Sequence, residues 1–287
     1  FEDTSTLSNL AMNLEGRLHG WAWQSGLTYS VSEQRSDIQG AMGTNAAKSL
    51  VANNLIDPFL APGQQSPSGL AAIMGQVYNG NWTSGRSTLF AWQAQASSDL
   101  SRLPGGMLKW SVGGNVREER LSMRSSPFAA GLLSDPAAGT IATSGAGDFR
   151  LGDSLPLRSM DASRLVMGLF TEWLAPISTQ TDLGAAVRAD HDTLSGDAIT
   201  GKANVRWKLT PALLLRASLG TGLKAPTLGQ LRSPDRSSSV TTSSQACTAG
   251  LQEVASRLGV TPCADATSQT YHYVIGGNDQ LRPEKSM

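Results

Sequence analysis

The chain has 287 residues, and its 23 basic residues balance its 23 acidic residues, so the formal net charge is zero. This balance offers no basic surface for nucleic acid, and we expect no nucleic-acid partner. No apolar run approaches the roughly 18 to 20 residues of a membrane helix, and the N-terminal stretch FEDTSTLSNL lacks the features of a signal peptide. Together with the ending LRPEKSM, this predicts an internal piece of a longer protein.

Apolar and polar residues alternate along eight segments, which predicts strands with one apolar and one polar face. Polar side chains such as Glu15, Gln93 and Arg188 take the face opposite the apolar residues. Each segment can cross a bilayer at a tilt, which takes about 9 to 11 residues. The apolar faces, in chain order, are Leu10, Met12, Leu14 and Leu18; Trp21, Trp23, Leu27, Tyr29 and Val31; Phe90, Trp92, Ala94, Ala96 and Leu100; Leu108, Trp110, Val112 and Val116; Leu165, Met167, Leu169 and Trp173; Leu183, Ala185 and Val187; Val205, Trp207 and Leu209; and Leu213, Leu215, Ala217, Leu219 and Leu223.

The connections between these segments alternate between tight turns and longer links. Tight turns are predicted at 19–20, 103–106, 176–178 and 210–212, and the links at about 36–85, 120–160, 191–198 and 224–280. Tight turns at one end and mostly long loops at the other are typical of an outer-membrane β-barrel. We therefore expect an all-β fold, part of a transmembrane antiparallel barrel over residues 1–287, in a Gram-negative outer membrane with extracellular loops.

Tryptophan placement supports the barrel over a soluble secreted β-protein. Five tryptophans lie on the apolar face within a few residues of a tight turn: Trp21, Trp23, Trp110, Trp173 and Trp207. An aromatic girdle at a membrane interface has this arrangement. Trp92 lies far from its turn and could mark the other interface. A β-sandwich core would scatter its tryptophans along the strands.

Eight strands would leave an interior just filled by side chains. Here several inward positions are small or charged, and no closing strand follows, so we expect about eight strands of a wider barrel. The eighth predicted strand ends with glycines on its polar face, where another backbone can approach closely. It then stops, because proline has no N–H for the ladder and restricts its predecessor.

Two motifs near the C-terminus carry a family resemblance. Residues 220–226 read GTGLKAP and residues 277–285 read GNDQLRPEK. In this order they resemble the paired signature of TonB-dependent outer-membrane receptors. The departures from that signature are Leu223 where an aromatic is usual, Lys224 for arginine and Asp279 for proline. The motif residues are Gly220, Gly222, Lys224, Ala225, Pro226, Asn278, Leu281, Pro283 and Glu284.

The resemblance implies a barrel of about 22 strands with a plugged lumen. It also implies uptake of a scarce nutrient, with energy relayed by the TonB complex through an N-terminal region outside this sequence. The ligand classes are a siderophore chelate, an oligosaccharide, cobalamin or haem, and outer-membrane lipid surrounds the barrel. A passive porin or a barrel adhesin is the alternative.

The only two cysteines, Cys247 and Cys263, flank a predicted short helix in the last loop. Its helical stripe ends before Gly259, which is a stop signal. In an oxidising compartment we expect the pair to form a disulfide. No partner spacing supports a metal site or a catalytic pair.

The remaining candidate ligand residues involve two histidines. His272 lies between the two motifs, flanked by Tyr271 and Tyr273, and histidine or tyrosine can ligate haem iron. The alternative is an ordinary interfacial Tyr-His-Tyr cluster, which we favour.

A second histidine, His191, lies among acidic residues that could suggest calcium. These are Asp190, Asp192 and Asp197. No glycine occupies the sharp-turn position of an EF-hand, so a solvated acidic loop is favoured and no metal site is predicted. No Gly-x-Ser-x-Gly elbow with a base and no Walker-type phosphate loop occurs, so we expect neither catalysis nor a cofactor.

Overall fold

The computed structural model describes residues 1–135, 140–141, 148, 150–151, 156–245, 247–259 and 266–287, and only the backbone of 134–135, 140–141, 236–245 and 266–272. The elements in chain order are β1 (Glu2–Leu18), β2 (Trp21–Met42), α1 (Thr44–Ala52), α2 (Pro67–Met74), β3 (Val77–Leu103), β4 (Gly106–Ser125), β5 (Leu133–Asp135), β6 (Thr140–Ile141), β7 (Met160–Pro176), β8 (Thr181–Asp192), β9 (Gly196–Thr210), β10 (Leu213–Gly220), β11 (Gly222–Lys224), α3 (Leu228–Arg232), β12 (Arg236–Gln245), α4 (Ala249–Arg257), β13 (Ala266–Ile275) and β14 (Glu284–Ser286). None of the described helices is long and apolar enough to cross a membrane.

Eight long strands form one antiparallel sheet in the order β1-β2-β3-β4-β7-β8-β9-β10. The predicted segments lie in these strands, which confirms the all-β antiparallel fold of a partial barrel. Within the described residues, β1 and β10 are the two edges and the sheet is open. The short strands pair separately, β5 with β6, β11 with β14 and β12 with β13.

The register aligns the predicted faces across the sheet. One apolar row runs through directly opposed residues, Met12, Leu27, Trp92, Val116 and Met167. The next row is polar or small and consists of Asn13, Gly26, Gln93, Asn115 and Gly168. Because side chains alternate between faces along a strand, these rows confirm one apolar face and one polar face.

The tryptophans near the tight turns lie on the apolar face. The rings of Trp21 and Trp110 meet edge to face with centroids 5.3 Å apart, and Trp110 is directly opposite Trp173. The Trp110 Nε1–H donates to Thr171 Oγ1 at 2.8 Å. A hydroxyl on the neighbouring strand thus satisfies the indole donor of an otherwise apolar surface.

The tight turns lie where the sequence predicts them. At the first turn, His19 and Gly20 have φ angles of 49° and 83°. Two successive positive φ angles characterise a hairpin turn whose twist matches that of the strands. At the next turn the Gly105 N–H donates to the Pro176 carbonyl at 3.0 Å, so the turns of neighbouring hairpins also contact each other.

Three strands extend further into the predicted loops than the alternation indicates. β2 continues to Met42, β3 begins at Val77 and β4 continues to Ser125, so the first two loops are 43–76 and 126–159. The predicted link 191–198 shortens to 193–195. These extensions mix polar and apolar side chains: Arg124 of β4 forms an ion pair with Asp161 at 2.6 Å, whereas Ile38 and Ala41 of β2 are buried. Such mixed extensions lack the regular apolar alternation that marks a strand in sequence.

A small core joins the outer ends of β2 and β3 to the second loop. Phe128 is fully buried against Ile38, Ala41 and Leu133. The Tyr78 and Trp82 rings lie 4.4 Å and 5.9 Å from the Phe128 ring.

A buried carboxylate fixes the first loop against the second. Asp148 accepts hydrogen bonds from the Asn45 and Ala46 amides at 2.8 Å and 2.9 Å. These are free N–H groups in the first turn of α1, where negative charge is favoured. The two loops therefore pack together above the sheet.

Candidate functional site

The two C-terminal motifs form one short ladder. β11 pairs antiparallel with β14, with Gly222 opposite Ser286 and Lys224 opposite Glu284. Lys224 Nζ lies 3.4 Å from Glu284 Oε2, but both side chains are well exposed, so this ion pair contributes little stability. The ladder itself brings together residues that are 60 positions apart.

The motif glycines lie where a neighbouring strand comes close. A Cβ on Gly222 would lie 2.7 Å from Ser286 Oγ, and one on Gly220 would lie 3.2 Å from the Gly201 carbonyl. The predicted eighth strand is interrupted at Thr221, which separates β10 from β11. Thr221 N–H donates to the Gly201 carbonyl at 2.8 Å, and Gly201 N–H donates to Thr221 Oγ1 at 2.9 Å. The break therefore keeps its hydrogen bonds.

After Ala225 and Pro226 the chain enters α3. Thr227 caps this helix, with reciprocal hydrogen bonds to Gln230 that form a capping box. Leu228 and Leu231 are buried, and α3 packs on β7. The start of the last loop is therefore fixed to the sheet.

The end of the same loop returns to α3. Gly277 N–H donates to the Ser233 carbonyl at 2.7 Å, and Asn278 N–H donates to the Gln230 carbonyl at 2.8 Å. Asn278 Oδ1 accepts from the Gln280 amide at 2.9 Å, a local turn that asparagine favours. Leu281 and Pro283 lie between this turn and β14. Both ends of the loop thus converge at the loop base, which we define as residues 222–233 and 277–286.

A charged network on the polar face supports the loop base. Arg164 of β7 is 11% exposed, and its Nε and Nη2 lie 2.7 Å from Glu119 Oε2 on β4. Its Nη1 donates to the Pro226 carbonyl at 2.8 Å and lies 3.5 Å from Asp192 Oδ2. Arg117 also pairs with Glu119, at 2.8 Å. We call Arg117, Glu119, Arg164, Asp192 and the Pro226 carbonyl the Arg164 network.

Sequence reasoning missed Arg164. Its one signal is its position on the polar side of a predicted strand, which it shares with many other charged residues. The contact with Pro226 spans 62 positions, and nothing in the local sequence indicates it.

A second network lies on the same wall, deeper in the sheet. Arg188 of β8 donates to Asp190, with Nε 2.7 Å from Oδ2, and its Nη2 donates to Asn115 Oδ1 at 2.7 Å. Arg188 reaches Asn115 on β4 by crossing Gly168 of β7, where a side chain would collide with this contact. No contact with the loop base is described for Arg188.

The acidic residues around His191 have separate partners. Asp190 pairs with Arg188, and Asp197 Oδ1 lies 2.6 Å from His191 Nδ1. Asp192 Oδ1 accepts from the Leu194 and Ser195 amides at 2.9 Å and 3.3 Å. Among the described residues no acidic, histidine or cysteine cluster could hold a metal ion.

The candidate ligand residues Tyr271, His272 and Tyr273 lie in β13, which pairs with β12. The backbone pairs Tyr271 with Val240, His272 with Ser239 and Tyr273 with Ser238. The Tyr273 side chain is exposed, and the side chains of Tyr271 and His272 lie outside the described residues. The interfacial Tyr-His-Tyr cluster stays the favoured prediction, with haem ligation as its alternative.

The predicted loop helix is present as α4, which ends before Gly259 at a φ of 68°. It buries no residue. Cys247 is disulfide-bonded. Cys263 lies outside the described residues, so its pairing with Cys247 stays a prediction.

Comparisons with known proteins agree on one family. A family model described as "TonB dependent receptor-like, beta-barrel" matches residues 1–287. The chain has no significant match among curated proteins.

Three solved structures share the fold. A mutant of the ferric enterobactin receptor PfeA from Pseudomonas aeruginosa is 17% identical, with a TM-score of 0.58 over 99% of this chain and 31% of that one. The siderophore receptor PirA from Acinetobacter baumannii is 15% identical, with a TM-score of 0.56 over 99% and 31%. The RagAB peptide transporter is 13% identical, with a TM-score of 0.53 over 99% and 27%. The chain therefore spans about a third of the length of the structures that it matches.

Proposed function

Because the chain belongs to the TonB-dependent receptor-like β-barrel family, we propose that it forms part of the wall and extracellular surface of a receptor that imports a scarce nutrient. The observation that carries this proposal is the two-faced antiparallel meander, whose long loops all leave from one end. The apolar face suits lipid and the polar face suits a plugged lumen. Residues 1–287 act as one partial barrel domain in the Gram-negative outer membrane.

The mechanism is binding followed by gated transport. The three long loops, the last of which contains the paired strands β12 and β13, capture the nutrient outside the cell. Energy reaches the receptor from the TonB complex through a part of the protein outside this chain, and rearrangement of the plug releases the nutrient inward. The chain's own residues bind and position; none is assigned a catalytic role.

A siderophore chelate is the first ligand class to test. PfeA is named as a ferric enterobactin receptor and PirA as a siderophore receptor, and RagAB is named as a peptide transporter. Oligosaccharide, cobalamin and haem remain alternatives. For haem, a titration of the complete receptor with His272→Ala is decisive, because unchanged affinity and spectrum would remove haem.

The experiment is a growth assay with the full-length gene. We expect a deletion strain to lose growth on at least one ferric siderophore in iron-limited medium, and the plasmid-borne gene to restore it only when TonB is present. Restoration without TonB would indicate a passive porin, and binding to host surfaces without any uptake defect would indicate an adhesin.

A further inference from the structure

Arg164 is the point at which the barrel wall meets the loop base. Its guanidinium contacts β4 through Glu119, the end of β8 through Asp192 and the loop base through the Pro226 carbonyl. Asp192 in turn holds the turn between β8 and β9 through two amides. One partly buried side chain therefore connects three strands and the loop that follows the first motif.

The hydrogen bond from Arg164 to the Pro226 carbonyl acts at a position that affects the whole loop base. Pro226 lies between the end of β11 and the capped start of α3. The returning chain is hydrogen-bonded to α3 at Gly277 and Asn278. A displacement of Pro226 would therefore move both ends of the loop together.

We propose that Arg164 is a positioning residue that fixes the direction in which the 234–276 loop leaves the barrel wall. It acts on ligand capture through the loop base and without touching the nutrient. The effect on ligand capture rests on the proposed function. The attachment of the loop base to the barrel wall through Arg164 does not depend on that function.

The chemistry of the site requires arginine. The planar guanidinium presents five donors in a fixed fork, so it can serve two carboxylates and a carbonyl at once, whereas the lysine ammonium is a single charged point. The Arg164 network is also balanced, because Arg117 and Arg164 face Glu119 and Asp192. Loss of Arg164 leaves Asp192 without its ion pair in a mostly buried place, which is costly.

The first test measures the loop base directly by hydrogen–deuterium exchange of the full-length receptor in detergent. We expect Arg164→Met to raise the exchange rate of the α3 amides and of the 277–278 amides by on the order of tenfold, because local opening of the loop base becomes more frequent. Arg164→Lys should lie between Arg164→Met and wild type. The amides of β1–β3 should not change.

Arg188→Met is the matched control. It also removes an arginine from the polar face, but the described contacts of this arginine are with Asp190 and Asn115 and not with the loop base. It should leave the loop base protected. Unchanged exchange in Arg164→Met, or an equal rise in Arg188→Met, would overturn the proposal. Heat-modifiable gel migration checks assembly, and Arg164→Lys decides the question if Arg164→Met does not assemble.

The second test uses ferric enterobactin as the probe, titrated against the same variants. We expect Arg164→Met to bind on the order of tenfold more weakly than wild type, because a loosened loop must be ordered on binding, and Arg188→Met to bind as wild type does. Equal binding by Arg164→Met would overturn the positioning role. If the wild type does not bind this probe, ferric enterobactin is not its nutrient, while the exchange experiment still decides the attachment.

Discussion

Gly277 lies where the last loop returns to α3, and it has no space for a side chain. A Cβ there would lie 2.7 Å from the Arg232 nitrogen and from the Leu231 carbonyl, which are backbone atoms. Backbone yields less readily than a side-chain tip, so we expect Gly277→Ala to destabilise the loop base by about 1 to 3 kcal/mol. Limited proteolysis of the full-length receptor should then cleave more readily near the loop base.

Gly250 provides the control for that substitution. It lies in the first turn of α4, and a Cβ there meets nothing within 4 Å. Alanine at such a helical site is neutral or stabilising, by up to about 1 kcal/mol. Equal resistance of Gly277→Ala and Gly250→Ala to proteolysis would contradict this prediction. It would show that the backbone of α3 leaves room for a side chain at position 277.

Among the elements, α4 is the one that we expect to depend on a covalent link. It buries no residue, and its Arg257–Glu253 ion pair at 2.7 Å is exposed. A disulfide between Cys247 and Cys263 would stabilise this segment by about 3 kcal/mol in the chain-entropy model. We expect reductant to increase tryptic cleavage after Arg257 and to leave the heat-modifiable migration of the receptor unchanged.

A double Cys247→Ser, Cys263→Ser variant tests the pairing. Without reductant it should be cleaved as readily as the reduced wild type, and reductant should have no further effect on it. Two thiols that react with maleimide in the unreduced wild type would show that the pair does not form.

At the level of elements, the sequence predicted the strand segments in which apolar and polar residues alternate. It missed the strand segments that lack this alternation. The strands could be found because Leu27, Trp92 and Val116 alternate with polar neighbours and share one row. The extension of β2 to Met42 could not be found, because its apolar residues Ile38 and Ala41 do not continue the alternation of the strand and are buried against the second loop.

Contacts between distant segments explain the rest of what sequence missed. The C-terminal motifs were found as sequence, but their pairing in a ladder was not. The Asp148 carboxylate that caps α1 lies about a hundred positions away, and Arg164 lies 62 positions before Pro226. Such contacts depend on which strands become neighbours, and the period of a single strand does not encode this.

For the whole molecule, the apolar face predicts where lipid lies. Six tryptophans lie on that face, whereas Trp82 packs beside Phe128 at the outer core. Brominated phospholipids quench indoles that face the acyl chains. In proteoliposomes of the full-length receptor, we expect Trp92→Phe to remove quenchable fluorescence and Trp82→Phe to remove unquenched fluorescence. Equal losses from both variants would contradict the assignment of the faces.

The strand order has a consequence for biogenesis. Each long strand pairs only with the long strands before and after it along the chain. Contacts between consecutive segments carry a lower closure entropy than those between distant ones. The order in which the polypeptide emerges from the secretion machinery can therefore also be the order in which the wall is built. Among the long strands that the structure describes, none has to be inserted between two that are already paired.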